Sequence, residues 1–159
     1  MGIERSGTAG SVLESVRFDE RDALWMKHRG WWVAWFFEDE RSDAADAVLR
    51  DVADHGAIAP SLWRLDVANA LQSAIRRKRI DTEFRDGTLA DLRALMVTID
   101  LETDLHAWAT TLQLAERFSL TLYDATYLEL AKRLSFPLAT LDQELRSAAA
   151  ALGVRLLGL

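Results

Sequence analysis

No cysteine occurs among the 159 residues. That absence excludes a disulfide framework, a thiolate zinc site and a cysteine nucleophile, and it fits a reducing compartment, so the cytoplasm is the expected location. A basic surplus is missing too. Lys and Arg number 19 against 25 Asp and Glu, a net charge of −6, so no broad basic surface exists to hold nucleic acid by charge alone and any such contact must be local. No apolar run approaches the roughly 20 residues of a membrane span, and the Trp-rich stretch from Trp31 to Phe37 lacks the shape of a signal peptide. A soluble, unexported protein without membrane contact is expected. No two of the three histidines have the spacing of a metal motif. Internal repeats and low-complexity segments are absent. What the chain does have is apolar material: half of its residues are hydrophobic, enough for the core of one ordinary domain.

From about Val33 onward, helical and strand-like patterns alternate with short punctuation, which argues for βαβ units and an α/β fold with a mostly parallel sheet. Trp35, Phe36 and Phe37 close a short apolar run. Ser42 then caps a helix whose Ala45, Val48 and Val52 recur at helical spacing until Gly56 stops it. Ala57 to Pro60 reads as a brief buried strand. Ser61 starts a helix through Leu62, Leu65, Ala68 and Leu71 to Arg77, and Asp81 caps another through Phe84, Leu92 and Leu95. Val97 and Ile99 alternate like a strand, after which Thr103 opens a helix with Leu105, Trp108, Leu112 and Ala115 on one face. A further helix carries Asp124, Tyr127, Leu128, Ala131 and Leu134. Pro137 to Leu141 is strand-like, a last helix runs from Asp142 to about Leu152 before Gly153, and Val154 to Leu157 adds a final strand. Trp63 and Trp108, at apolar helical positions, are expected in the core. His55 reads as a helix-end residue and His106 as a surface one. Residues 1–30 mix Gly, Ser and charges with irregular Trp residues and receive no element, so the expected division is an atypical segment over 1–30 and one domain over 31–159.

Ligands of an open parallel sheet bind outside the carboxyl ends of its strands, so polar residues just after strand-like runs carry most interest. Asp142 follows Leu138-Ala139-Thr140-Leu141 directly, and as a helix N-cap it has an equally good structural reason to be there. Asp124 extends the stripe of Tyr127, Leu128 and Ala131 back by one turn, toward the protein. Asp66 lies one turn after Leu62, with Asn69 at i+3 on the same side. Half-buried carboxylates are costly unless paired or bound to metal. Convergence on one sheet edge, where a hard cation would relieve their repulsion, and separate duty as caps and surface charges both fit the spacing. Arg76-Arg77-Lys78-Arg79 ends a helix, where cations favour the dipole, and is also the best candidate for gripping phosphate.

Four segments, AWFFEDERSDAADAVL, PSLWRLDVANAL, LTLYDATYLELAKR and PLATLDQELRSAAAALGV, resemble in order and spacing the pattern of PIN-domain ribonucleases of the VapC toxin type, over roughly residues 33–157. The second resembles the family segment with an acid one turn before an Asn, here Asp66 and Asn69. The third holds the YDA-x-YL-x-LA run with Asp124, and the fourth the TLD run with Asp142 and Thr140. The resemblance implies a PIN-like three-layer α/β domain that cuts RNA as the toxin of a toxin–antitoxin pair. It implies Asp66, Asp124 and Asp142 as catalytic metal ligands for Mg²⁺ or Mn²⁺, with Asn69 and Thr140 in support. An antitoxin partner and a homodimer are implied by the resemblance as well. A catalytically impaired protein on the same fold, binding antitoxin or RNA without cutting, is the alternative.

One position departs from that pattern. Similar proteins open with a strand ending in a leucine-aspartate-alanine-serine run seven residues before the Trp of AWFF, and that count back from Trp35 reaches His28. Trp25-Met26 can only be encoded TGGATG, whose third to fifth bases, GAT, encode aspartate in another frame. Extended through Lys27, His28 and Arg29 with CGN arginine codons, the frame yields Leu, Val or Met, then Asp, Glu, Ala or Thr, and Ser or Pro. We therefore expect an altered reading frame or a degraded start near His28 in place of a new catalytic histidine. Resequencing of the source gene checks this: an intact frame, with His28 ordered beside the three acids, would contradict it.

Overall fold

A computed structural model describes residues 24–26 and 42–157 of the chain. Its centre is a five-stranded, wholly parallel sheet in the order β3-β2-β1-β4-β5, with β1 at Leu24–Met26, β2 at Ala57–Pro60, β3 at Val97–Asp100, β4 at Leu138–Ala139 and β5 at Leu156–Leu157. β1 is the middle strand, with Trp25 in register with Ile58 on one side and Leu138 on the other. It falls in the stretch for which no element was expected: three residues, Leu-Trp-Met, are too few to display a period of two. The strand-like run at Trp35 to Phe37, Trp31, Trp32 and His28 lie outside the described residues. β2 is buried at all four positions, as a strand covered on both faces must be, which explains why Ala-Ile-Ala-Pro lacks polar alternation.

Seven helices surround the sheet among the described residues. α1 (Asp43–His55) is capped by the Ser42 hydroxyl, which accepts from the Ala45 amide at 3.1 Å, and it buries Ala45, Val48 and Val52. Gly56 ends it at φ +82°, its amide donating to the Val52 carbonyl; a Cβ there would stand 2.9 Å from the Met96 carbonyl oxygen, so the close approach of this turn to Met96 requires glycine. α2 (Trp63–Arg76) buries Trp63, Val67 and Leu71. Leu65, expected on the apolar face, is 76% exposed: the buried positions recur every four residues, at Trp63, Val67 and Leu71, and not every three from Leu62. Ser61 likewise sits before the helix in a turn, its amide donating to the Thr103 hydroxyl at 3.0 Å. α3 (Thr82–Ala94) is capped by Asp81, which accepts from the Phe84 amide at 2.8 Å.

Where one helix from Thr103 was expected, the chain forms two, α4 (Thr103–Ala107) and α5 (Thr110–Phe118), broken at Trp108 and Ala109. The break turns most of the expected inner stripe outward. Trp108 is 92% exposed, Leu105 76% and Leu112 52%; of that stripe Ala115 stays inside, beside Thr111 and Leu114. α6 (Leu122–Leu134) lies across β1, β2 and β4 and is buried at every position from Ala125 to Ala131, the mark of a central helix. α7 (Gln143–Ala151) packs on α6 and β5. Among the described residues no helix is long and apolar enough to cross a membrane.

Candidate active site

The strands are parallel, so helices that follow β2 and β4 begin at the same edge of the sheet. α2 starts three residues after β2, and α7 four residues after β4. Connections step from β1 through β2 to β3 on one side, while β4 and β5 lie on the other. The topological switch point therefore lies between β1 and β4, and the crevice outside their carboxyl ends is where ligands of such sheets bind. Thr140 and Asp142 immediately follow β4 at this crevice.

Each of the three expected acids occupies the start of a helix. Asp66 is in the first turn of α2 and Asp124 in that of α6; Asp142 is the N-cap of α7, positions where the helix dipole favours negative charge. Asp66 and Asp124 are half-buried and Asp142 is exposed. The first turns of α2 and α6 are joined by Tyr127, a fully buried residue whose hydroxyl donates to Asp66 Oδ2 at 3.0 Å. Burial, the charge of Asp66, the hydrogen bond to it and the charge of Asp124 together push the phenol far above its ordinary pKa near 10. The phenol thus stays protonated and keeps one carboxylate oxygen fixed. Thr121 caps α6 by accepting from the Asp124 amide at 3.1 Å.

The turn after β4 is held just as firmly. Thr140 is buried, its hydroxyl accepts from the Asp142 amide at 3.1 Å, and Asp142 Oδ1 accepts from the Leu145 amide at 2.8 Å. Arg146 Nη1 donates to the Thr140 carbonyl at 2.6 Å, while its buried Nη2 has no hydrogen-bond partner among the described residues. Asn69 is exposed on α2, one turn beyond Asp66. Among the described residues, no group of three or more His, Cys, Asp or Glu side chains is placed to hold a metal ion by itself. The donor chemistry nevertheless fits a hard cation: carboxylate and hydroxyl oxygens and no thiolate. Mg²⁺ keeps several waters and commonly binds through one or two carboxylates plus substrate phosphate; Asp66 and Asp124, which act on one phenol, supply that number.

A second polar cluster escaped the sequence reading. Arg133 on α6 reaches Asp100 Oδ2 at 2.9 Å, Glu129 Oε1 at 3.0 Å and Glu102 Oε2 at 3.2 Å, with Asp100 and Glu129 nearly buried. Burial alone would lower the Arg133 pKa, but the hydrogen bonds and charges of Glu129 and Asp100 outweigh it and raise it. His106 Nδ1 stands 3.6 Å from Glu129 Oε1, so it faces the cluster and is not the simple surface residue expected. The cluster ties the end of β3 to α6. Its only signal in the sequence is the i,i+4 pair Glu129 and Arg133.

The family model described as PIN domain matches residues 30–151. The chain belongs to the PIN-domain family. PIN domains are generally nucleases, usually metal-dependent ones that use divalent cations such as Mg²⁺. Among solved structures the chain is similar to the crystal structure of PAE2754 from Pyrobaculum aerophilum, with 20% identity, a TM-score of 0.56, and coverage of 86% of this chain and 84% of that one. At that identity the likeness concerns the fold. No curated protein matches the sequence. As a PIN domain, the chain ties Asp66 to a buried phenol that also feels the charge of Asp124, and it sets Asp142 just beyond β4 at the switch-point crevice.

The Tyr127 hydrogen bond has a testable pH signature. Its folded pKa lies above the unfolded value near 10, so the stabilisation is complete below about pH 10 and is lost as pH rises, because the unfolded chain releases a proton that the folded chain retains. In urea denaturation series, the parent chain should lose stability above pH 10 more steeply than Tyr127→Phe, by up to about 1.4 kcal/mol per pH unit. Equal slopes would contradict the buried, protonated phenol.

Proposed function

We propose that this PIN domain is an endoribonuclease dependent on Mg²⁺ or Mn²⁺, the toxin of a VapC-type toxin–antitoxin pair. The observation that carries the proposal is the Tyr127 bridge, which keeps Asp66 fixed beside the charge of Asp124 near the sheet's ligand-binding edge. Asp66 and Asp124 would hold the cation, with Asp142 contributing directly or through water. When bound, the cation would lower the pKa of an attacking water and neutralise charge on the phosphodiester.

The other roles belong to the chain itself. Tyr127 keeps its proton and orients Asp66. Thr140 and the Arg146 contact fix the turn that presents Asp142. With a net charge of −6, RNA binding must use local cations, and the exposed run Arg76 to Arg79 at the end of α2 suits phosphate contacts. Neutralisation by an antitoxin, a homodimeric state and a cytoplasmic location belong to the same reading and rest on the resemblance to VapC-type toxins.

A second reading, a PIN-fold protein that binds antitoxin or RNA without cutting, is favoured by one specific observation: His28 stands where the pattern has its first acid. Incubation of the purified chain with single-stranded RNA and Mn²⁺ separates the two. Weak cleavage that disappears in Asp124→Asn and in excess chelator supports the nuclease reading, since the substitution keeps shape and removes the charge that a cation needs. Cleavage that survives either treatment contradicts this site. No cleavage by the parent chain, joined with retained RNA binding, supports the second reading.

A further inference from the structure

Between α2, α3 and β3 lies a cavity of about 530 Å³, lined by Trp63, Arg64, Val67, Ala68, Leu89, Leu92, Arg93, Leu95 and Val97. Its size falls within the range of small-molecule sites, roughly 300–1,000 Å³. The lining has an unusual polarity. Its apolar side chains form the walls, and its polar side chains, two arginines and one tryptophan, are all donors. None of its side chains can accept a hydrogen bond. Arg64 and Arg93 are both exposed, and neither forms an ion pair among the described residues. Trp63 is 5% exposed, and its buried Nε1 has no hydrogen-bond partner among the described residues.

These features select a class of ligand. A nucleobase edge or a peptide backbone presents donors as well as acceptors, and the donors would find no side-chain acceptor in this lining. An apolar molecule whose only polar group is an anionic acceptor meets every requirement. We propose that the cavity binds a small organic acid with an apolar body of the medium-chain carboxylate class, its chain among Val67, Leu89, Leu92 and Leu95 and its carboxylate on Arg64 and Arg93. Charge complementarity here is local, two arginines without an ion pair among the described residues on a chain whose net charge is negative.

Isothermal titration of the full chain with decanoate, and in parallel with decanol, tests the proposal. The expected result is saturable binding of one decanoate per chain, about fivefold tighter than decanol, the upper end of what one exposed charge pair supplies. In the double variant Arg64→Gln/Arg93→Gln, which alters only exposed side chains, the preference for the acid should vanish while weak binding of both ligands remains. Leu89→Trp, which fills the cavity, should abolish both. Absence of saturable decanoate binding to the parent chain, equal affinity for acid and alcohol, or a preference that survives the double arginine variant would each overturn the proposal. Because the readout is heat of binding and not RNA cleavage, the result bears on the cavity alone and leaves the nuclease reading to its own test.

Discussion

A single hydrogen bond, from the hydroxyl of Tyr127 to the carboxylate of Asp66 at 3.0 Å, ties the hydrophobic core to the candidate active site. The tyrosine ring is fully buried on the most enclosed helix of the domain. A buried phenol needs a polar partner, and a half-buried carboxylate needs a donor or a cation. Each satisfies the other, so the position of Asp66 follows from the packing of α6 on the sheet. Asp124, one turn before Tyr127, is carried by the same helix. The Arg133 cluster holds the other end of that helix against β3, and the two attachments keep α6 from turning or sliding.

The second constraint is topological. A parallel sheet whose order reverses beside its central strand leaves a crevice at one edge, and the chain fills the start of each helix there with an acid. N-capping and site formation draw on the same chemistry: a carboxylate that accepts from a backbone amide still has lone pairs free for another ligand. Asp142 is such a cap: one oxygen accepts from the Leu145 amide, and its side chain lies at the surface. The cavity between α2 and α3, lined in part by Trp63 and Val67, differs in character: apolar walls and donor side chains, where the crevice is rich in acceptors.

Much of this arrangement was legible in the residues. Ser42, Asp81 and Asp142 read as N-caps and act as such, because capping depends on residues three apart in the chain. Gly56 and the strand Ala57–Pro60 were equally local in origin. Trp63 in the core was legible as well. Trp108 was not, since its exposure depends on a break between α4 and α5 that apolar periodicity does not record. The middle strand was hidden by its brevity. The Tyr127–Asp66 bond joins residues 61 positions apart, and no spacing rule reaches that far; Tyr127 read only as an apolar neighbour of Asp124. The match to the PIN-domain model over residues 30–151 supplies the frame in which that contact acquires meaning.

What depends most on this packing is the proposal that Asp66, fixed by Tyr127, and Asp124 would together hold a hard divalent cation. Electron paramagnetic resonance of Mn²⁺ titrated into the purified chain measures this without any RNA. The account predicts saturable uptake of Mn²⁺ that weakens at least about tenfold in Asp66→Asn and in Asp124→Asn, as loss of one ligand charge demands, with circular dichroism unchanged in both variants. Uptake that is the same in the parent chain and in both variants would contradict it.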